Sequence, residues 1–187
     1  MFIQTEETPN PATLKFLPGR DVYPKGALEF KSSDEAEGAP LVQRLFTLQG
    51  VKSIFLGSDF VSVSKHEDTD WVMLKPMVLG ALMEHLSMNL PIVNDVPDMQ
   101  SGHSVNDDDD EIVVQIKELL DTRVRPMVAM DGGDIVFDRF KDGVVFLHMR
   151  GACAGCPSST ATLKSGIENM LKHFVPEVQE VRPAAEF

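Results

Sequence analysis

Residues 151–164, GACAGCPSSTATLK, hold Cys153 and Cys156, the two cysteines of a 187-residue chain. Two thiols three positions apart have a short list of chemistries: a redox couple, part of a metal site, or two small apolar side chains in a core. Pro157 follows Cys156 directly. Proline is favoured at the first helical position, so Cys156 is expected as the N-cap of a helix and Cys153 in the loop before it. Amide donors and the positive end of the helix dipole then point toward the sulfurs and favour thiolate over thiol. Gly151 and Gly155 flank the pair and free the backbone for tight turns or for close approach of a ligand.

Three functional readings follow. A dithiol–disulfide oxidoreductase uses C-x-x-C as a redox couple on a βαβ framework. Here the pair follows an expected hairpin, and its proline comes after the cysteines rather than between them. A structural zinc site needs four ligands. His148 and His173 are the nearest histidines, but there is no second C-x-x-C and no H-x-x-x-H. An iron–sulfur centre usually takes four cysteine thiolates. One chain supplies two, so a symmetric pair of chains supplies four, with the cluster on the two-fold axis and exposed at an interface.

The elements that must position this pair lie in the second half of the chain. Ile112, Val113, Ile116, Leu119 and Leu120 trace one face of a helix that Pro126 is expected to end. IVFDRF and VVFLHMR flank Asp142-Gly143, a strong hairpin signal. Leu163, Ile167, Met170, Leu171 and Phe174 form a helical stripe, and VQEVR adds a last strand. The expected order is α-β-β-α-β, an α+β domain with its helices packed on a small sheet.

The first half reads as a second small α+β domain. FIQTE and LKFL are strands on either side of TPNPAT, whose prolines demand an extended turn. PLVQRLFTL is an amphipathic helix, VKSIFLGSDFVSVSK a hairpin, and DWVMLKPMVLGALMEHL a helix capped by Asp70. Pro76 should kink that helix or shift its start, and Trp71 fits its core face. Between the halves, NLPIVNDVPDMQSGHSVNDDDD has no sustained period. The domains are therefore expected at 1–88 and 111–187, joined by an acidic flexible linker at 89–110.

Net charge is −12, and no Lys or Arg occurs from Pro76 to Ile116. A surface that tracks phosphates needs clustered cations, so nucleic-acid binding is not expected. No apolar run is long enough to span a bilayer, which argues against a membrane role. MFIQTEETPN has neither the basic nor the apolar region of a secretory signal, and the chain reads as one from a reducing compartment. Asp131-Gly132-Gly133-Asp134 has too few carboxylates for a calcium cage and reads as turn geometry. The Asp107–Asp110 run is expected to stabilise the start of the helix near Glu111.

The motif is more specific than its cysteines alone. GACAGCPSSTATLKSGIENML, preceded by RPMVAMDGGDIVF and followed by VPEVQEV, closely resembles the C-terminal domain of the NifU-like (Nfu) iron–sulfur scaffold and carrier proteins. The likeness runs from about Ile112 to Val181. TEETPNPATLKFLPG, LVQRLFTLQGVKSIFLGSDFVSVSK and DWVMLKP look like the N-terminal domain of mitochondrial and many bacterial Nfu proteins. Ala152 stands where the family often has serine.

The resemblance implies a [4Fe–4S] cluster, one per homodimer, bridged by Cys153 and Cys156 of each chain. It implies delivery of that cluster to apo-proteins after loading by an upstream donor, without enzymatic turnover. The compartment it implies is the bacterial cytoplasm, or the mitochondrial matrix for a mature organellar form. The oxidoreductase ranks second and a zinc-bridged dimer third.

Overall fold

The structure is a computed structural model that describes residues 2–94, 109–154 and 157–184. Cys156 and most of the expected linker lie outside the described residues. The chain folds as two compact units, Met1–Ser101 and Gly102–Phe187. Among the described residues no helix is long and apolar enough to cross a membrane.

The first unit is an antiparallel five-stranded sheet of order β1-β2-β5-β4-β3. Its strands are β1 (Gln4–Glu7), β2 (Thr13–Leu17), β3 (Leu28–Phe30), β4 (Val51–Leu56) and β5 (Val61–Lys65). Two helices accompany it, α1 (Pro40–Phe46) and α2 (Trp71–Ser87). The core joins Phe16, Ile54 and Val63 of the sheet to Leu41 and Leu45 of α1 and to Leu74, Val78 and Leu82 of α2. The Asp70 carboxylate accepts from the Val72 N–H, a cap that contributes about 1 kcal/mol. Because α2 begins at Trp71, five residues before Pro76, the proline does not set its start. Trp71 is only partly buried, and its indole N–H donates to the Pro11 carbonyl at 3.0 Å. The TPNP turn and the start of α2 are thereby held together.

Residues 89–94 lie against this unit. The Asn94 N–H donates to the Gly38 carbonyl at 2.8 Å, and Ile92 and Val93 pack on the core.

The second unit has the expected α-β-β-α-β order. It comprises α3 (Glu111–Leu119), α4 (Arg125–Met130), β6 (Gly133–Lys141), β7 (Val144–Gly151), α5 (Pro157–Phe174) and β8 (Glu180–Pro183). Its sheet runs β6-β7-β8, with β6 antiparallel and β8 parallel to β7. Asp142 and Gly143 turn the hairpin at φ 52° and 76°. A parallel neighbour requires a crossover, and α5 supplies it. The Val181 N–H donates to the Glu168 carboxylate at 3.1 Å, tying β8 to that helix.

Pro126 departs from expectation, because the helical path does not end there. A π-helical turn, Leu120–Val124, joins α3 to α4, and the proline occupies the first turn of α4. The wider turn changes the hydrogen-bond register where proline has no N–H to give, so the chain stays helical to Met130. This continuation lets Val124 and Val128 join Ile116 and Leu120 in the core, against Ile135, Val145, Leu147, Ile167 and Leu171. Phe174 is the second departure. It lies exposed at the end of α5, with the Arg123 guanidinium 4.9 Å from its ring centre rather than in the core. Asp110 precedes α3 without a side-chain cap, and Asp109 instead pairs with Lys117 at 2.6 Å.

Candidate functional site: the cysteine turn

Cys153 sits where β7 hands over to α5. The first residue of β6, Gly133, pairs in register with the last residue of β7, Gly151. Gly151 then takes φ 62°, and the Ala154 N–H donates to its carbonyl at 3.1 Å. The Ala152 N–H donates to the Gly132 carbonyl at 3.2 Å. These bonds fold the cysteine turn back over the Gly132-Gly133 corner. Gly132 itself closes α4, at φ 81° and with its N–H on the Ala129 carbonyl at 3.0 Å.

Gly133 is needed here for room. A Cβ at that position would lie 2.5 Å from the Cys153 sulfur, 2.8 Å from the Arg150 carbonyl oxygen and 3.0 Å from the Cys153 nitrogen. Any side chain there would displace the turn.

The corner is anchored from behind by an ion pair. Asp134 is buried, and the Arg125 guanidinium grips it with two bonds, Nε to Oδ1 at 2.8 Å and Nη2 to Oδ2 at 2.9 Å. A third bond, Nη1 to Asp121 at 3.1 Å, extends the clamp along the helix. The bond to Asp134 is the main reason Arg125 holds its proton more tightly than usual. The Asp131–Asp134 stretch thus supplies turn geometry and a clamp, in keeping with the structural role its sequence suggested.

Cys153 is only 6% exposed and belongs to the core of the second unit. Burial, with Asp131 and Asp134 adding to it, pushes its thiol up to about 12. This corrects the expectation that the surroundings of the pair favour thiolate at Cys153. The helix start does lie where the sequence placed it, at Pro157. For Cys153, however, desolvation and two nearby carboxylates act in the opposite direction. A buried, protonated thiol is a poor opening nucleophile, which weighs against the dithiol oxidoreductase.

The two histidines nearest the pair in sequence, His148 and His173, are engaged elsewhere among the described residues. His148 Nε2 lies 3.1 Å from Asp138, and the His173 ring meets Phe174 edge-on at 5.0 Å. Among the described residues no three His, Cys, Asp or Glu side chains converge on a metal position. The soft-metal donor that the described residues place in this turn is Cys153, and Cys156, the second thiol of the chain, lies outside them. Two features of the site escaped the sequence reading. The Arg125–Asp134 clamp joins residues nine apart across a corner, which leaves no periodic trace, and the closeness of Gly133 to the sulfur exists only in three dimensions.

Comparison with known proteins completes the description. Residues 3–89 match the family described as Scaffold protein Nfu/NifU N terminal, and residues 116–182 match the NifU-like domain. The chain is 49% identical over 182 residues to a protein of Drosophila sechellia named NFU1 iron-sulfur cluster scaffold homolog, mitochondrial. That alignment covers 97% of this chain and 64% of the fly protein, so the chain spans about two thirds of that relative's length. The Homo sapiens protein of the same name is 47% identical over 182 residues, covering 97% of this chain and 71% of its own. A solution structure of a NifU-like protein from Saccharomyces cerevisiae is 26% identical, with a TM-score of 0.47, over 51% of this chain and 87% of that one.

Proposed function

Since the chain belongs to the Nfu/NifU family of iron–sulfur cluster scaffold proteins, we propose that it carries a [4Fe–4S] cluster as cargo across a homodimer. The cluster is held by Cys153 and Cys156 of each chain. One observation carries this reading. Both cysteines of the chain fall within the matched NifU-like domain, in the segment that feeds α5. Two thiolates per chain and four ligands per cluster require two chains.

The role is stoichiometric binding, as the relatives' name of scaffold describes. Loading releases the cysteine protons, and the iron's own charge stabilises the thiolates that burial disfavours. Delivery is ligand exchange. Each iron–thiolate bond to this chain is replaced by one to a recipient cysteine, and a proton returns to the released sulfur. Partners are an upstream cluster donor and apo-proteins that accept the cluster. The mitochondrial matrix is the compartment proposed, following the relatives' names. Met127 and Met130 are exposed on the last turn before the Gly132-Gly133 corner, which suits a face that meets another chain beside the cluster.

The reading makes dimerisation depend on the cluster. The apo-chain is expected to be mainly monomeric at low micromolar concentration, and the loaded chain mainly dimeric. The linkage is reciprocal, so chelating the iron must favour monomers. Anaerobic light scattering before and after reconstitution, with iron and sulfide counted per chain, measures both halves of this statement. A fully loaded monomer would mean that the remaining ligands come from elsewhere and would end the reading.

The division into 1–88, 89–110 and 111–187 belongs to the same proposal, with the acidic segment joining a cluster-binding domain to an accessory one. Limited proteolysis is expected to cut within that segment beyond the packed residues 89–94, between about Asp95 and Asp110, and to leave two stable fragments. Complete digestion of the first half at the same protease dose would refute the division.

A further inference from the structure

Two stretches of the first unit line a cleft of about 350 Å³. One is residues 20–25, in the loop between β2 and β3, and the other is residues 89–94, which follow α2. Both are pinned to the body of the unit. The Val22 and Tyr23 N–H groups donate to the Ser58 and Gly57 carbonyls at 2.8 Å and 3.0 Å. His85, buried near the end of α2, donates from Nε2 to the Pro91 carbonyl at 2.9 Å. Together with the bond from Asn94 to Gly38, these contacts fix the shape of the cleft before any ligand arrives. Its size falls in the range of ligand sites.

The lining is divided between charge and apolar surface. Arg20 and Lys25 stand on it, and no carboxylate does. Elsewhere in the same unit Lys15 pairs with Glu6, and Arg44 with Glu84. Among the described residues Lys25 has no such partner, and Arg20 meets only the neutral Asn89 Oδ1 at 3.4 Å. That bond uses the oxygen of the amide and leaves its Nδ2 hydrogens to donate elsewhere. Two like charges in one concavity focus a positive field there, in a chain whose net charge is −12. Val22, Pro24, Pro91, Ile92 and Val93 supply the apolar part.

These features select among anions. A phosphate site gathers free backbone N–H groups. Here the N–H groups of Val22, Tyr23, Asn89, Leu90 and Asn94 are already bonded within the unit, and Pro24 and Pro91 have none. A guanidinium fork and an ammonium suit a single carboxylate, and the apolar lining suits small side chains beside it. The rim is open, with Arg20, Pro24, Lys25, Asn89 and Leu90 exposed. A free small molecule needs most of its surface buried, whereas a peptide can leave its remainder in solvent.

We propose that this cleft docks a short peptide segment of another protein, one carboxylate of which lies next to apolar side chains. Arg20 and Lys25 hold the carboxylate, Ile92 and Val93 take the apolar neighbours, and the Asn89 amide donates to the peptide backbone. A single carboxylate adds little to the long-range repulsion from an acidic chain, which salt screens, while the two cations act at contact distance. Exposed ion pairs and a small apolar contact add little affinity, so dissociation constants of roughly 0.1 to 1 mM are expected. The docking goes beyond the carrier reading and needs no cluster.

The test is an NMR titration of the isotope-labelled, full-length apo-chain, kept reduced. One probe is acetyl-Gly-Asp-Leu-Val-amide, and a second, acetyl-Gly-Leu-Val-Leu with a free carboxyl end, tells a terminal carboxylate from a side-chain one. Saturable shifts are expected at Tyr23, Ile92, Val93 and the Asn89 side-chain amide with at least one of them. The uncharged acetyl-Gly-Asn-Leu-Val-amide should bind about tenfold more weakly than its Asp counterpart, and Arg20→Gln with Lys25→Gln should cost either acidic peptide about tenfold. Both residues are exposed, so circular dichroism should be unchanged, and Lys52→Gln, an exposed cation outside the cleft, should bind normally. No shift with either acidic peptide up to roughly 10 mM would overturn the proposal. So would equal binding of the uncharged peptide, indifference to the double substitution, or the same shifts from inorganic phosphate alone. Cluster loading enters none of these readouts, so they fail or succeed apart from the carrier reading.

Discussion

Substituting either thiol is expected to leave a folded chain that cannot retain iron. Cys153→Ala and Cys156→Ser should each lower the iron and sulfide recovered after anaerobic reconstitution by more than about tenfold. That bound follows because even groups that merely orient a ligand are worth 10–100-fold in affinity. Alanine is the better probe at position 153, because Cys153 lies in the core with Ile135 and Ile167, and serine would place a hydroxyl among them. Cys153→Ser should therefore lose thermal stability as well as iron, whereas Cys153→Ala should lose chiefly iron. A single variant that keeps its full iron content would remove that sulfur from the ligand set. If the pair worked instead as a dithiol reductase, the unmodified chain would reduce protein disulfides and both variants would lose that activity.

Gly133→Ala should have nearly as large an effect without touching a ligand. The new methyl group would stand 2.5 Å from the Cys153 sulfur and 2.8 Å from the Arg150 carbonyl, and the latter is backbone in a paired strand that cannot swing aside. Overpacking of this kind costs about 1–3 kcal/mol. The most accessible relief is displacement of the Ala152–Ala154 turn. Cluster loading is expected to fall by at least about tenfold, together with a lowered thermal midpoint. Gly166→Ala is the matching control in the same unit. It lies on the exposed side of α5 with nothing within 4 Å of a Cβ, and should raise stability by up to about 1 kcal/mol with loading unchanged. Equal loading in the two variants would show that the turn's position is irrelevant to the site.

Much of this architecture was legible locally. Asp142-Gly143 signals its turn because both residues must adopt positive φ, and the start of α5 is written in Pro157. Asp70 caps α2 as its place before an apolar run suggests. What escaped the sequence depends on contacts between distant residues. β3 has only three residues, too few to show a period, and forms because Leu28 and Phe30 fill the edge beside β4. Pro126 is ordinarily a helix end, and only the π-helical turn before it makes continuation possible. The cysteine pair advertised its chemistry through spacing, but the burial of Cys153 could not be read from neighbours in sequence. It is produced by Gly133, twenty positions earlier, and by the return of β7 along β6.

If the chain works as the proposed carrier, the tucked position of Cys153 also bears on its survival between deliveries. Such a carrier would spend part of each cycle empty, when oxidants and stray soft metal ions could attack any accessible sulfur. Oxidation climbs from sulfenic to sulfinic acid only where the oxidant can reach a reactive sulfur, and the later rungs are not reversed by ordinary thiols. With its sulfur folded beneath the Gly132-Gly133 corner, the empty chain keeps Cys153 off that ladder. The same cover taxes every incoming metal equally, and an ion that offers a single bond gains least in return. On the proposed reading, a preassembled cluster engaging four sulfurs at once would be best able to offset that cost.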